Sequence, residues 1–118
     1  MLQTGVDIED ISRFENKTLE KDSRFLNRIY TKNELEYCFS NKNPSKHLAA
    51  RFCAKEAVIK ALSNLINKNL PYSKIEILKK ENGAPYVNLT DYSEDAEISL
   101  SIAHDKTKAV AFVVAIKK

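Results

Sequence analysis

Asn82-Gly83 sits between two apolar-rich runs in KIEILKKENGAPYVNL, and this pair constrains the fold more than any other dipeptide in the chain. Asn and Gly tolerate the positive φ angles of a tight hairpin turn, so the two runs are expected to pair antiparallel. A second hairpin follows. AEISLSIAH alternates, with Ile98, Leu100 and Ile102 on one face, and DKTK turns the chain into AVAFVVAI. That last run is almost wholly apolar, which predicts a central strand covered on both faces. Near the start, residues 2–9 (LQTGVDIE) also alternate. Leu2, Val6 and Ile8 share one side, and Gln3, Gly5, Asp7 and Glu9 share the other. This is the pattern of a strand with one buried face.

Helical spacing occupies the middle. A short helix or turn is expected over residues 10–17 around Ile11 and Phe14, and a short helix over 22–29 with Phe25, Leu26 and Ile29 apolar. Thr31 followed by Glu34 forms a capping box that opens the next helix, which stops before Asn43-Pro44. Ser45 is expected to cap a long helix, residues 46–66, in which Leu48, Phe52, Ile59, Leu62 and Ile66 recur at helical spacing. The Asn-rich NKNLP stretch ends it. The expected architecture is α+β: an N-terminal strand, a helical middle and an antiparallel meander with the long helix packed on the sheet. At 118 residues, one domain over 1–118 can bury a core without metal or disulfide staples.

Composition excludes several classes. A net charge of +3 permits phosphates or an acidic partner without demanding nucleic acid. Cys38 and Cys53 form no CxxC, which suits a reducing cytoplasm and packing roles. No apolar run approaches a membrane span, and MLQTGVDIED lacks the marks of a signal peptide. With two glycines there is no glycine-rich phosphate cradle, and no Walker A, GxGxxG, GxSxG or HExxH motif occurs.

The unusual stretch is RFCAKEAVIK, residues 51–60. At 3.6 residues per turn, Lys55 falls on the line of Phe52 and Ile59, Glu56 flanks it, and Lys60 lies four residues after Glu56. One reading is a solvated face, with Lys55 snorkelling and Glu56–Lys60 a surface pair. The other is a phosphate and metal site. Asp7 favours the second, because Gly5 on the same face adds no side chain and leaves open space beside a carboxylate. Asp7 and Glu56 would be two carboxylates from separate elements, as magnesium uses alongside water and substrate phosphates. His104 continues the face of Leu100 and Ile102. It reads either as a strand-end histidine or as a donor near phosphate or metal. His47 reads as a surface residue.

GVDIEDISRFE, RFLNRIYTKNELEYC, LAARFCAKEAVIKAL, ENGAPYV and SLSIAHDKTKAVAFVV occur in an order and spacing that resemble the holo-[acyl-carrier-protein] synthases, the small bacterial 4'-phosphopantetheinyl transferases. The resemblance implies transfer of the phosphopantetheine arm of coenzyme A to a serine of apo acyl carrier protein. The second product is adenosine 3',5'-bisphosphate, and the reaction serves fatty acid biosynthesis. It implies Mg²⁺, with Asp7 and Glu56 as metal ligands, and a homotrimer with coenzyme A at the subunit interfaces. Arg51 and His104 match positions at the coenzyme A phosphates and Lys60 the lysine near the pyrophosphate. Lys55, from its place in the apolar stripe, reads as a buried or interfacial ammonium whose partner the sequence does not name, and it is included among the ligand contacts. Glu56 and Lys60 are the candidate catalytic residues. Arg13, Arg24, Phe25 and Arg28 match the surface that receives the acidic carrier protein. The serine proton would leave to Glu56 or to a metal-bound water, and since a coordinated carboxylate is a poor base, the water is favoured.

The chain departs from the family pattern in two places. SNLINKNLPYS lacks the usual glycines, and Ala103 stands where a hydroxyl is common. Two other readings compete with the transferase. One is a small basic nucleic-acid-binding domain, disfavoured because aromatics do not interleave with the basic residues. The other is a trimeric interaction protein without activity, disfavoured by the presence of both carboxylates.

Overall fold

A computed structural model describes residues 1–66, 70–92 and 95–118. The elements are β1 (Leu2–Asp10), a 3-10 turn (Ile11–Phe14), α1 (Ser23–Ile29), α2 (Lys32–Phe39), α3 (Pro44–Ser63), a second 3-10 turn (Tyr72–Lys74), β2 (Ile75–Lys79), β3 (Pro85–Leu89), β4 (Ala96–His104) and β5 (Lys108–Lys117). β1, β5 and β4 form an antiparallel sheet in that order, with Val6 opposite Phe112 and His104 opposite Ala109.

The expected meander divides in two. β2 and β3 pair as a separate hairpin around Asn82-Gly83, where Gly83 adopts φ +90°. Part of the reason lies in α2. Glu34 Oε2 accepts the backbone N–H of Ile77 at 2.8 Å, occupying an edge donor of β2 that another strand could have used. The capping box at Thr31 forms as expected, with Glu34 Oε1 accepting from Thr31 N at 2.8 Å.

The long helix starts earlier and stops sooner than its spacing predicts. Asn43 is the N-cap and Pro44 the first helical residue, where a missing N–H costs nothing and the fixed φ fits. Ser45 instead donates its hydroxyl to Asn43 Oδ1 at 2.9 Å. The regular helix ends at Ser63, and the NKNLP terminator begins outside the described residues. Burial wraps round α3 and is not confined to one stripe: Ala49, Ala54, Ala57 and Ala61 are buried, while Ile59 and Ile66 are only partly covered. These alanines keep the helix thin, so sheet and hairpin approach it closely.

β1 reverses the face expected to be buried. Gly5 is buried while Val6 is 54% and Ile8 62% exposed. The reason is the seat of α3. A Cβ on Gly5 would lie 2.0 Å from the Ala57 carbonyl oxygen and 2.9 Å from Ala61 N. The space expected to be open beside Asp7 is therefore filled by helix backbone, and glycine is what admits it. β5 is central as expected, but only one of its faces is covered within the chain. Ala109, Ala111, Val113 and Ala115 lie buried on the inner face, while Phe112 and Ile116 remain 45% and 44% exposed on the outer one. Among the described residues no helix is long and apolar enough to cross a membrane.

Candidate active site

The contact between β1 and α3 brings their polar groups together. Cys53 donates its thiol to the Asp7 carbonyl oxygen at 2.9 Å. Lys60 Nζ donates to the Val6 carbonyl at 2.9 Å and to Asp7 Oδ1 at 3.1 Å. Lys60 therefore pairs with Asp7 across the interface, not with Glu56 along its own helix. The other oxygen of Asp7, Oδ2, is buried without a hydrogen-bond partner.

Glu9 follows on the same strand face. Burial, then the neighbouring Asp7 carboxylate, push its carboxyl up to about 7, against the opposing pull of Arg13 at 3.0 Å. Arg13 lies over the Phe52 ring at 5.0 Å, and Phe52 packs on Tyr72 with ring centres 5.7 Å apart. The Tyr72 hydroxyl donates to Glu56 Oε1. Burial, followed by that hydrogen bond and the Glu56 charge, pushes the phenol up to about 12, so it remains a donor. Glu9, Arg13, Phe52, Tyr72 and Glu56 thus form a continuous run of contacts beside Asp7.

This donor set fits a hard divalent cation. A buried carboxylate oxygen without a partner carries an uncompensated desolvation cost, and a cation relieves it. Among the described residues no three carboxylate, imidazole or thiol groups gather where they could hold a metal ion, so an ion here would have at most two carboxylates from the chain and take its other ligands from water and phosphate oxygens.

A second cluster sits at the N-terminal half of α3. Arg51 is buried, with its guanidinium 4.2 Å from the Tyr37 ring centre and its Nε lacking a partner. Lys79 approaches the same ring at 4.9 Å. His47, read as a surface residue, is half-buried edge-on to Tyr37. Its pKa is lowered by burial and then by the charges of Arg51, Lys46, Lys79 and His104. Arg51 and His104 therefore belong to one electropositive neighbourhood, suited to anionic groups. His104 is exposed at the end of β4. With Asn16, Lys17, Lys46 and Lys106, it lines a cleft of about 840 Å³. Asp105 shapes the adjoining turn by accepting from Thr107 N and Lys108 N.

Arg24 and Arg28 are exposed on α1, while Phe25 between them is half-buried against Phe14 at 6.4 Å. Arg13 is also half-exposed.

Lys55 requires a correction. Its side chain is 0% exposed and 2.6 Å from Glu34 Oε1, and it donates to the carbonyls of Ile29 at 2.7 Å and Tyr72 at 3.0 Å. The ammonium has three protons, and the fold supplies three acceptors. It is a buried structural cation, not a ligand contact. Sequence reasoning also passed over Glu9 and Tyr72. Glu9 was visible by strand parity with Asp7. Tyr72 carried no signal, because its place depends on a turn that has no repeating pattern.

The Asp7–Lys60 contact between β1 and α3, the Tyr72–Glu56 contact and the cationic cluster around Arg51 supply groups suited to phosphate esters. The family model for the 4'-phosphopantetheinyl transferase superfamily matches residues 3–116. The holo-[acyl-carrier-protein] synthase of Dehalococcoides mccartyi is 46% identical over 98% of this chain and 98% of its own length. The solved Helicobacter pylori holo-[acyl-carrier-protein] synthase, in complex with coenzyme A, superposes with a TM-score of 0.81 at 34% identity, covering 96% of this chain and 99% of that one. The Bacillus anthracis enzyme, in complex with CoA (3',5'-ADP), gives 0.80 at 33% identity, over 98% and 96%. The chain belongs to the holo-[acyl-carrier-protein] synthase family.

Proposed function

We propose that the chain is one transferase domain that moves the 4'-phosphopantetheine group of coenzyme A onto a serine hydroxyl of apo acyl carrier protein. The second product is adenosine 3',5'-bisphosphate, and the reaction supplies fatty acid biosynthesis in the cytoplasm. The observation that carries this reading is the unpartnered buried oxygen of Asp7 beside Lys60, in a chain of this family. The nucleic-acid-binding alternative has no support from the relatives named above.

Asp7 and Glu56 would hold Mg²⁺, which supplies charge neutralisation at the pyrophosphate. Lys60, half-exposed and paired with Asp7, would donate to a pyrophosphate oxygen. Arg51 and His104 supply positive potential for the remaining phosphates, the first stiffened by Tyr37. The nucleophile arrives with the partner, so the chain needs none of its own. Arg13, Arg24 and Arg28 with Phe25 offer a basic surface to an acidic carrier helix, and steering of this kind weakens with salt.

A homotrimer agrees with the outer face of the sheet. Leu2, Val6 and Ile8 on β1 stand opposite Ile116, Phe112 and Val110 on β5, an apolar surface that a lone chain leaves open to water.

The test is incubation with apo acyl carrier protein, coenzyme A and Mg²⁺, read by mass spectrometry. The carrier should gain one phosphopantetheine group. Asp7→Ala and Glu56→Ala should each lose about 100-fold or more in rate while remaining folded. No mass gain with a carrier competent for another transferase overturns the reading.

A further inference from the structure

We propose that Tyr72 is a positioning residue for Glu56, and that the buried Lys55–Glu34 pair exists in part to hold Tyr72 in place. This rests on the reading of Glu56 as a cation ligand. Both candidate ligands are arranged alike. Asp7 has Oδ1 fixed by Lys60 and Oδ2 without a partner. Glu56 has Oε1 fixed by the Tyr72 hydroxyl, and among the described residues no donor reaches Oε2. In each case one oxygen is held by a donor on another element, which would leave the other available to the cation. A donor on one oxygen restricts the carboxylate rotamer, and such outer partners contribute to metal affinity without touching the metal.

Tyr72 is held at both ends. Its ring packs on Phe52, and its carbonyl oxygen accepts from Lys55 Nζ at 3.0 Å. Lys55 is immobilised by Glu34 and by the Ile29 carbonyl, and Glu34 is fixed in turn by the N–H groups of Thr31 and Ile77. A charge buried this completely is strongly destabilising unless its partners are well placed. The arrangement connects α1, α2, α3 and β2 to the turn that carries the hydroxyl. If Tyr72 served packing alone, phenylalanine would do equally well there.

Tyr72→Phe is therefore the discriminating variant, since it keeps the ring and removes only the hydroxyl. The full chain is titrated with Mn²⁺ in the presence of coenzyme A, and free ion is followed by electron paramagnetic resonance. Tyr72→Phe should bind Mn²⁺ about 10- to 100-fold more weakly than wild type. The Mg²⁺ concentration for half-maximal rate should rise in step, with KM for the carrier protein unchanged. Asp7→Asn serves as the control. If Asp7→Asn loses Mn²⁺ and Tyr72→Phe binds as wild type does, the positioning role is overturned while the cation site stands. If neither wild type nor variant binds Mn²⁺, both readings fall.

Discussion

Glu9 holds its proton in the folded chain to about pH 7, against an ordinary carboxyl value of 4.5. Between those values the unfolded chain has released the proton and the folded chain retains it. Unfolding therefore releases a proton, and the fold loses stability as pH rises through this window. Glu9→Gln removes the titrating group. Thermal melts of the variant without added cation should stay flatter than wild type between about pH 5 and pH 7. An identical decline in both proteins would place the titration elsewhere. Spacing and family resemblance single out Asp7, Glu56 and Lys60, and the fold brings Lys60 onto Asp7. The burial of Lys55 follows from its place in the stripe, but its partner Glu34 does not, because helical spacing reports the direction of a side chain and not what it meets. Glu34 was visible only as a capping residue. That one carboxylate also neutralises Lys55 and caps an edge donor of β2 depends on contacts between distant segments, which no local pattern encodes.

At the level of elements, β1 against α3 sets the site, and Gly5 sets the approach. A methyl group there would meet the Ala57 carbonyl oxygen at 2.0 Å, and that neighbour is backbone that cannot swing aside. Gly5→Ala must push strand and helix apart, and forced overpacking of this kind costs about 1–3 kcal/mol or more. The displacement would also strain the Lys60–Asp7 bridge. Denaturant unfolding should show a lowered midpoint, whereas unchanged stability would mean β1 does not seat here. The hairpin at Asn82-Gly83, the capping box at Thr31 and the central place of β5 were all readable, because each is encoded within a few adjacent residues. The inside of β1 was not. Alternation divides a strand into two faces but does not say which one meets the helix. Here the small and polar face goes in because a thin, alanine-rich helix requires it.

Taken whole, the described residues leave one apolar face of the sheet exposed. Leu2, Val6, Ile8, Phe112 and Ile116 are each exposed on that one side. The sequence marked β5 as covered twice, and α3 supplies one of those covers. Phe112→Glu places a charge in the centre of the patch and should turn a trimer into monomers by sedimentation. A wild-type protein that sediments as a monomer would remove the trimer from the proposal. The pairing that builds this face also has a consequence for synthesis. β1 leaves the ribosome first among the described elements, and its ladder partner β5 leaves last. Until Lys108–Lys117 emerges, Leu2–Asp10 has no strand to bond and its apolar side chains have no neighbours on β5. Domains that rely on such distant pairings complete their sheets late, so the nascent chain carries an unmatched strand through translation. Chaperones that bind alternating apolar segments would meet this protein there, at its first strand.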